Sequence, residues 1–377
     1  MIPVYKPKLR TEEILSEMRT TLDSGWVGLG PKVGQFERGI ESFLGTKHAI
    51  ALNSCTSALH LAVKTLPKTS GTKVITTPIT FVSTNHAILY ENLTPVFADV
   101  EPLTGNMDPN SVEDAIKEHG ADSIKGILLV HLGGYPVDLD AFRALSAKYD
   151  IPLIEDCAHA FGSRYKGKKI GDSENVCCWS FQAVKNMPVG DGGAITTNDD
   201  SLNVKLRKLR WLGIDVDTVT RAYGGYKWEY MVTDVGYKYH MNDIIATIGC
   251  VQLKHIEADN ARRKEIAQYY REKISGDGVW FPEYEDDRES ANWFYPIFFK
   301  DRERVYSELV KREIYPSMHF RSNLRYPMFA GAPQVNGCKN AKWYEEHVLS
   351  LPLNLFLSND DLETITQVVN EALNENR

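Results

Sequence analysis

The sequence predicts an α/β protein in which a mostly parallel sheet lies between layers of helices, followed by a smaller α+β domain. Three observations lead there. Short apolar runs recur at HAIAL (48–52), KVITT (73–77), PVFADV (95–100), GILLVH (126–131), IPLIED (151–156), VCCWSF (176–181) and GAITT (193–197). Segments of helical spacing separate several of them: Phe36, Ile40, Phe43 and Leu44, then 81–90, and stretches near 110–118 and 138–149. After about residue 240 the texture changes. There the pattern predicts a long amphipathic helix over 243–273, strands within 281–299, and helices at 301–312 and 360–374. The expected division is a large domain over residues 1–245 and a small one over 246–377.

Each early element carries its own signal. Gly45 stops the first helix, because a glycine tolerates the left-handed turn that ends one. Asn53 and Ser54 follow HAIAL and can cap the next helix through their side-chain oxygens. EYEDDRES (283–290) is rich in charge and reads as a solvated loop.

Composition narrows the class. The 377 residues are 43% hydrophobic and 25% charged, enough to bury a sizeable core. A formal net charge of −7 offers no basic surface large enough to coat nucleic acid. The six cysteines (Cys55, Cys157, Cys177, Cys178, Cys250 and Cys338) form no C-x-x-C, so free thiols in a reducing cytoplasm are expected, and no metal. Nothing approaches the ~18 uninterrupted apolar residues of a membrane span, and the first residues lack the apolar core of an export signal. No membrane association is expected.

In a sheet of this kind, chemistry gathers beyond the C-terminal ends of the strands. Asp156 stands there after four buried residues, with His159 three positions on. An aspartate so placed can pair with a ring nitrogen, ligate a metal or cap a helix, and no further Asp/His cluster supplies a metal set. Lys185 follows another strand end and precedes Gly190, Gly192 and Gly193. A lysine on a buried rim either reaches solvent or forms a Schiff base with a carbonyl. The glycines let backbone pass close to a flat ring. NSCTSALH (53–60) is a strand-to-helix turn dense in hydroxyls, and free N–H groups at a helix start favour a phosphate. Phe81, in PITFVST, can lie against an aromatic ring or pack in the core.

These four elements, in this order, resemble the DegT/DnrJ/EryC1/StrS family of fold-type-I pyridoxal-phosphate (PLP) sugar aminotransferases. The resemblance runs from SGWVGLGPKVGQFERGIESFLGTKHAIALNSCTSALHLA (24–62) through IEDCAHAFGSRYKGKKIG (154–171), SFQAVK with GDGGAITT, and GYKYHMNDIIATIGCVQL (236–253), to SLPLNLFLSNDDLETI (350–365). It implies a seven-stranded, mostly parallel sheet and PLP as cofactor. It also implies that Lys185 holds the cofactor as an imine and shuttles a proton, while Asp156 bonds the pyridinium nitrogen. By the same resemblance His159 would sit beside the ring and its phenolic oxygen, and Phe81 would stack on one face. Ser180 and the turn Cys55, Thr56 and Ser57 would hold the phosphate. Trp26, Gly28, His319 and Arg321 would meet the sugar, with Arg325 beside Arg321 as a further fork for a carboxylate or diphosphate. Lys238 would reach the phosphate of a neighbouring subunit in a homodimer with shared sites.

Two positions depart from the family pattern. Gln182 stands where relatives carry His, Tyr or Asn, and Lys238 and His240 replace residues of G-Y-N-Y-R. The expected reaction moves an amino group from L-glutamate to a keto or aldehyde sugar for cell-surface polysaccharide or lipopolysaccharide. The sugar would be nucleotide-linked, or an oxidised 3-deoxy-octulosonate giving the 8-amino-3,8-dideoxy-manno product, since RWLGI (210–214) and GYKYHMND are similar to that subgroup. Two alternatives remain: a PLP-dependent sugar dehydratase, whose relatives replace the aldimine lysine by histidine, and a non-catalytic regulatory relative.

Overall fold

A computed structural model describes residues 1–67, 70–216 and 230–374. Its centre is a seven-stranded sheet with the order His48–Leu52, Gly193–Thr197, Val176–Ser180, Leu153–Asp156, Ile124–Val130, Lys73–Thr76 and Thr94–Phe97. Gly193–Thr197 runs antiparallel to both neighbours and the remaining pairs are parallel. All seven apolar runs of the sequence became strands of this sheet.

Both faces of the sheet are buried, and the alternation of side chains shows how. Ala49 and Ala51 face one apolar cluster while Ile50 and Leu52 face the other. Leu153 and Ile154 divide in the same way, as do Trp179 and Cys178. Each fully buried Ile or Leu contributes about 1.5–3 kcal/mol, so the two clusters fix the strand register. Helices Pro31–Leu44 and Leu139–Tyr149 cover the first face, and Cys55–Thr65 covers the second.

Beyond the sheet, Val279–Trp280, Pro296–Phe299 and Val348–Ser350 make a three-stranded antiparallel sheet. It shares an apolar cluster with Ile256–Lys273, Arg302–Lys311 and Asn359–Asn374. The helix expected over 243–273 is two helices, Asp243–Leu253 and Ile256–Lys273. The first lies against Pro31–Leu44 and Thr11–Asp23, so its apolar side belongs to the large sheet's layer. A division after residue 245 would cut this helix, and we draw it after Leu253 instead. Nor do the first residues stay with the large sheet: Ile2–Pro3 pairs in parallel with Ile314–Tyr315. Leu353 N–H donates to the Val4 carbonyl at 3.2 Å, which ties the N-terminal segment to the C-terminal part. Within 281–299, where strands were expected, only Arg288–Glu289 and Pro296–Phe299 are extended strands.

Candidate active site

The strand ends converge on one cavity of about 410 Å³. Asp156 closes the strand Leu153–Asp156, Ser180 closes Val176–Ser180, and Gly193 opens the antiparallel neighbour at the same edge of the sheet. The turn Ser54-Cys55-Thr56 enters from the end of His48–Leu52. Among the described residues, Phe81, His159, Lys185 and His319 also line the cavity.

Asp156 is 4% exposed and held from two sides. Thr84 donates its hydroxyl to Oδ2 at 2.8 Å, and Ala158 N–H donates to Oδ1 at 3.0 Å. Burial pushes the carboxyl above its usual range, while those two bonds and Lys185 pull it back. Lys185 reaches the same cavity, with Nζ 3.8 Å above the Trp293 ring. Burial lowers its amine to about 8, although Cys55 and Asp156 oppose the shift. A lysine near 8 is poised to lose its proton and attack a carbonyl.

His159 is buried, and neither ring nitrogen has a hydrogen-bond partner. Its imidazole stacks on Trp293, with centroids 4.0 Å apart and planes 8° from parallel. Burial, then Lys185 and His319, hold it neutral, well below its usual range. Two unmet buried nitrogens cost stability unless a bound group meets them. His319 donates or accepts through Nδ1 with Ser350 Oγ at 2.9 Å, and burial lowers its pKa to about 3.

At the helix start the hydroxyls divide their work. Ser54 Oγ caps the helix Cys55–Thr65 by accepting from Ser57 N–H at 3.1 Å. Ser57 Oγ turns inward to Asn53 Oδ1 at 2.6 Å and does not line the cavity, whereas Ser54, Cys55 and Thr56 do. The bond to Asn53 turns the Ser57 hydroxyl away. The open helix N-terminus beside Ser180 is the natural seat for a phosphate, and the cavity's polar set matches PLP. Asp156 offers a buried acceptor for a protonated ring nitrogen, Lys185 an amine for a carbonyl, and His159 two unmet nitrogens in the wall of the same cavity.

Other expected contacts lie outside this chain's own cavity. Arg321 and Arg325 are mostly exposed and both approach buried Glu345, Arg325 Nε at 2.6 Å and Arg321 Nε at 3.9 Å. Their positive charge is engaged there, because Glu345 is 6% exposed and needs a counter-ion. Gly28 accepts from Asp243 N–H through its carbonyl, Trp26 lies two residues before it in the same segment, and neither lines the cavity. Lys238 is exposed, with Nζ 3.9 Å above the Trp211 ring. Phe81 stands at the cavity wall but is 57% exposed.

Three aromatic residues that sequence reasoning passed over complete the site. Tyr5 stacks on Trp293 at 5.1 Å, and Phe320 lies near-parallel to His159 at 5.7 Å. Trp293 Nε1 donates to the Val184 carbonyl at 2.8 Å and so anchors the turn that carries Lys185. Phe320 follows an identified His and Trp293 lies in NWFYPIFF, which is also what a core looks like, while Tyr5 in MIPVYKPK carries no such signal.

Comparison with known proteins agrees with this geometry. The profile described as the DegT/DnrJ/EryC1/StrS aminotransferase family matches residues 8–370. The chain is similar to the spore coat polysaccharide biosynthesis protein SpsC of Bacillus subtilis (strain 168), 36% identical over 384 residues covering 99% of this chain and 97% of SpsC. Its fold matches the crystal structure of sugar aminotransferase CalS13 from Micromonospora echinospora, with a TM-score of 0.90 and 32% identity over 98% of this chain and 100% of CalS13. It also matches the putative sugar aminotransferase Spr1654 from Streptococcus pneumoniae in its PMP form, with a TM-score of 0.91 and 27% identity over 100% of each chain. A profile match of this extent, over a fold that gathers the lysine and the aspartate at one strand edge, has one consequence: the chain belongs to the DegT/DnrJ/EryC1/StrS aminotransferase family.

Proposed function

We propose that the protein is a PLP-dependent aminotransferase that takes an amino group from L-glutamate and delivers it to a keto or aldehyde sugar. The observation that carries this reading is the meeting of desolvated Lys185 with buried Asp156 in one cavity. PLP, when bound, supplies the carbonyl that takes up the amino group and the electron sink that makes the donor's Cα–H acidic.

The chain's own residues do the rest. Asp156, fixed by Thr84 and Ala158, presents a carboxylate oxygen to the ring nitrogen and keeps a proton there. Lys185 Nζ, lowered to about 8 by burial, would hold the cofactor through its carbonyl and, when free, would take up the proton lost from the donor's Cα. Ser180, Thr56 and the amides at the start of Cys55–Thr65 hold the phosphate. His159, neutral and stacked on Trp293, would meet the phenolic oxygen and, with Phe320, would help to exclude water from the cavity. His319 lines the same cavity and would meet the sugar.

The acceptor is a nucleotide-linked keto sugar or an oxidised 3-deoxy-octulosonate, for cell-surface polysaccharide or lipopolysaccharide. The likeness to SpsC supports a polysaccharide destination. The protein works as a homodimer in which Trp26, Gly28 and Lys238 reach the partner's cavity. Exposed Met231, Val232 and Val235 in the Lys238 segment support a surface that another copy covers. Free cysteines throughout support a reducing, cytoplasmic setting. Among the described residues no helix is long and apolar enough to cross a membrane.

The test is spectroscopic. Purified protein should be yellow, bleach with glutamate, and recolour when the aminated form meets its acceptor. Screening that form against nucleotide-linked keto sugars and oxidised octulosonate names the substrate. Protein that carries PLP but does not bleach with glutamate or any other amino donor would reject the proposal.

A further inference from the structure

A second, narrower cleft adjoins the cavity and shares Tyr5, Val184, Lys185 and Trp293 with it. Lys6, Lys8 and Arg263 also line it, and no Asp or Glu does among the described residues. Lys6, Lys8 and Arg263 put three cations around one cleft, which stands out in a chain whose formal charge is −7. The Tyr5–Lys8 segment is held in place by its neighbours: Gln252 Nε2 donates to the Lys8 carbonyl at 2.8 Å, and Leu353 N–H to the Val4 carbonyl.

Arg263, on the helix Ile256–Lys273, is 7% exposed, and its Nη1 has no hydrogen-bond partner. The carboxylate that acts on it is Asp259, one turn earlier. Asp259 Oδ1, however, already accepts from Arg10 Nη2 at 2.7 Å. Two guanidinium groups share one carboxylate, which leaves a positive charge without a counter-ion. Burial accordingly lowers Arg263 to about 10. A buried charge with an unmet donor is costly, and an incoming anion removes that cost.

We infer that Arg263 receives a carboxylate of a substrate through this cleft, with Lys6 and Lys8 drawing the anion in. The inference rests on the aminotransferase reading, because the cleft opens beside Lys185. Its free volume, about 10 Å³, holds about one water-sized group. At that size a ligand seated in the cavity reaches Arg263 with no more than the tip of a carboxylate, and a sugar ring or a nucleotide diphosphate does not enter. Glutamate and an acidic keto sugar both carry such a tip.

The probe is glutarate, a dicarboxylate that lacks the reacting amine, measured on holoenzyme by calorimetry and by competition with bleaching by glutamate. Arg263→Gln should raise the glutarate dissociation constant by about tenfold or more, the loss of one charge-assisted bond, with PLP affinity unchanged. Arg263→Lys should recover part of the binding. If glutarate binding is unmoved but the KM for an acidic keto sugar rises and that for a neutral one does not, the carboxylate is the acceptor's and the subsite stands. The subsite is overturned if Arg263→Gln handles glutarate and both sugars as the native protein does. It is also overturned if PLP affinity and every other constant fall together and Arg263→Lys restores none of them. Native holoenzyme that does not bleach with glutamate would count against the aminotransferase reading, while calorimetry with glutarate still decides the subsite.

Discussion

Thr84 places its hydroxyl proton on Asp156 Oδ2 at 2.8 Å, and Thr80 in turn lies 2.9 Å from Thr84 Oγ1. Both threonines are buried beside the cavity, so this pair sets the orientation of the carboxylate and its charge.

Thr84→Val should therefore impair the site without removing any group that touches the donor. The hydroxyl lowers the Asp156 pKa, so losing it raises that pKa further. The carboxylate then protonates at a higher pH, and the acid limb of the rate profile for bleaching by glutamate should move upward. A net hydrogen bond is worth about 0.5–1.5 kcal/mol, so the rate should fall up to roughly tenfold near neutral pH. Thr84→Ser should keep the native profile. Stopped-flow bleaching across pH checks both, and an unmoved acid limb in Thr84→Val would remove Thr84 from this role.

Lys185 yields a prediction with the opposite sign. Its amine is lowered to about 8, so below that pH it is an ammonium and above it a nucleophile. Uptake of PLP by cofactor-free protein should accelerate with rising pH and level off above about 8, two units earlier than an ordinary lysine. Lys185→Arg keeps the charge but cannot form the Schiff base, so it should be inactive and folded. Native uptake still climbing at pH 10 would mean that the cavity does not desolvate Lys185.

Gly193 lies where the antiparallel strand crosses the phosphate turn. A Cβ there would come within 2.4 Å of the Ser54 carbonyl carbon and 2.5 Å of the Cys55 nitrogen. Backbone cannot move aside cheaply, so Gly193→Ala should cost about 1–3 kcal/mol and weaken PLP binding by displacing the turn. Gly192→Ala is the control, since the nearest atoms to its Cβ would be side-chain ends and not backbone, those of Met241 and Val189 at 2.9 Å and of Ile245 at 3.7 Å. Thermal melts and PLP titration compare the two. Equal effects would show that the turn itself is not what Gly193 protects.

What was legible in the sequence followed strand ends. Asp156, His159, Ser180 and Lys185 lie within thirty residues of one another, each next to an apolar run whose end fixes its position. Local pattern suffices there. Tyr5, Trp293 and Phe320 come from three separate segments, and the pairing of Ile2–Pro3 with Ile314–Tyr315, with the Leu353–Val4 hydrogen bond, brings the first of them to the site. No local periodicity records that. The orientation of Ser57 was not legible for a different reason, because composition marks a helix start without saying which hydroxyl caps it and which faces out. Arg321 and Arg325 looked free in sequence, and buried Glu345, some twenty residues on, is what engages them.

The last prediction concerns Lys238 and a site shared between two copies. Lys238 is exposed, and its backbone carbonyl accepts from Asn53 Nδ2 at 3.4 Å. The segment thus starts at this chain's own phosphate turn, while the ammonium points over Trp211 and not into the cavity. If the side chain serves a partner's phosphate, it adds a charge-assisted bond about twice as strong as a neutral one. Lys238→Ala should then weaken PLP binding with Lys185 intact. Lys185→Ala subunits are inactive because they lack the amine. In a mixed dimer, one cavity combines Lys185 from the Lys238→Ala chain with Lys238 from the Lys185→Ala chain, and that cavity is whole. Mixing equal amounts of the two variants at limiting PLP should restore activity toward about a quarter of the native value, because half of the exchanged dimers are mixed and each holds one whole cavity, whereas each variant alone stays low. Verified subunit exchange with no recovery would assign Lys238 to solvent and each cavity to a single chain.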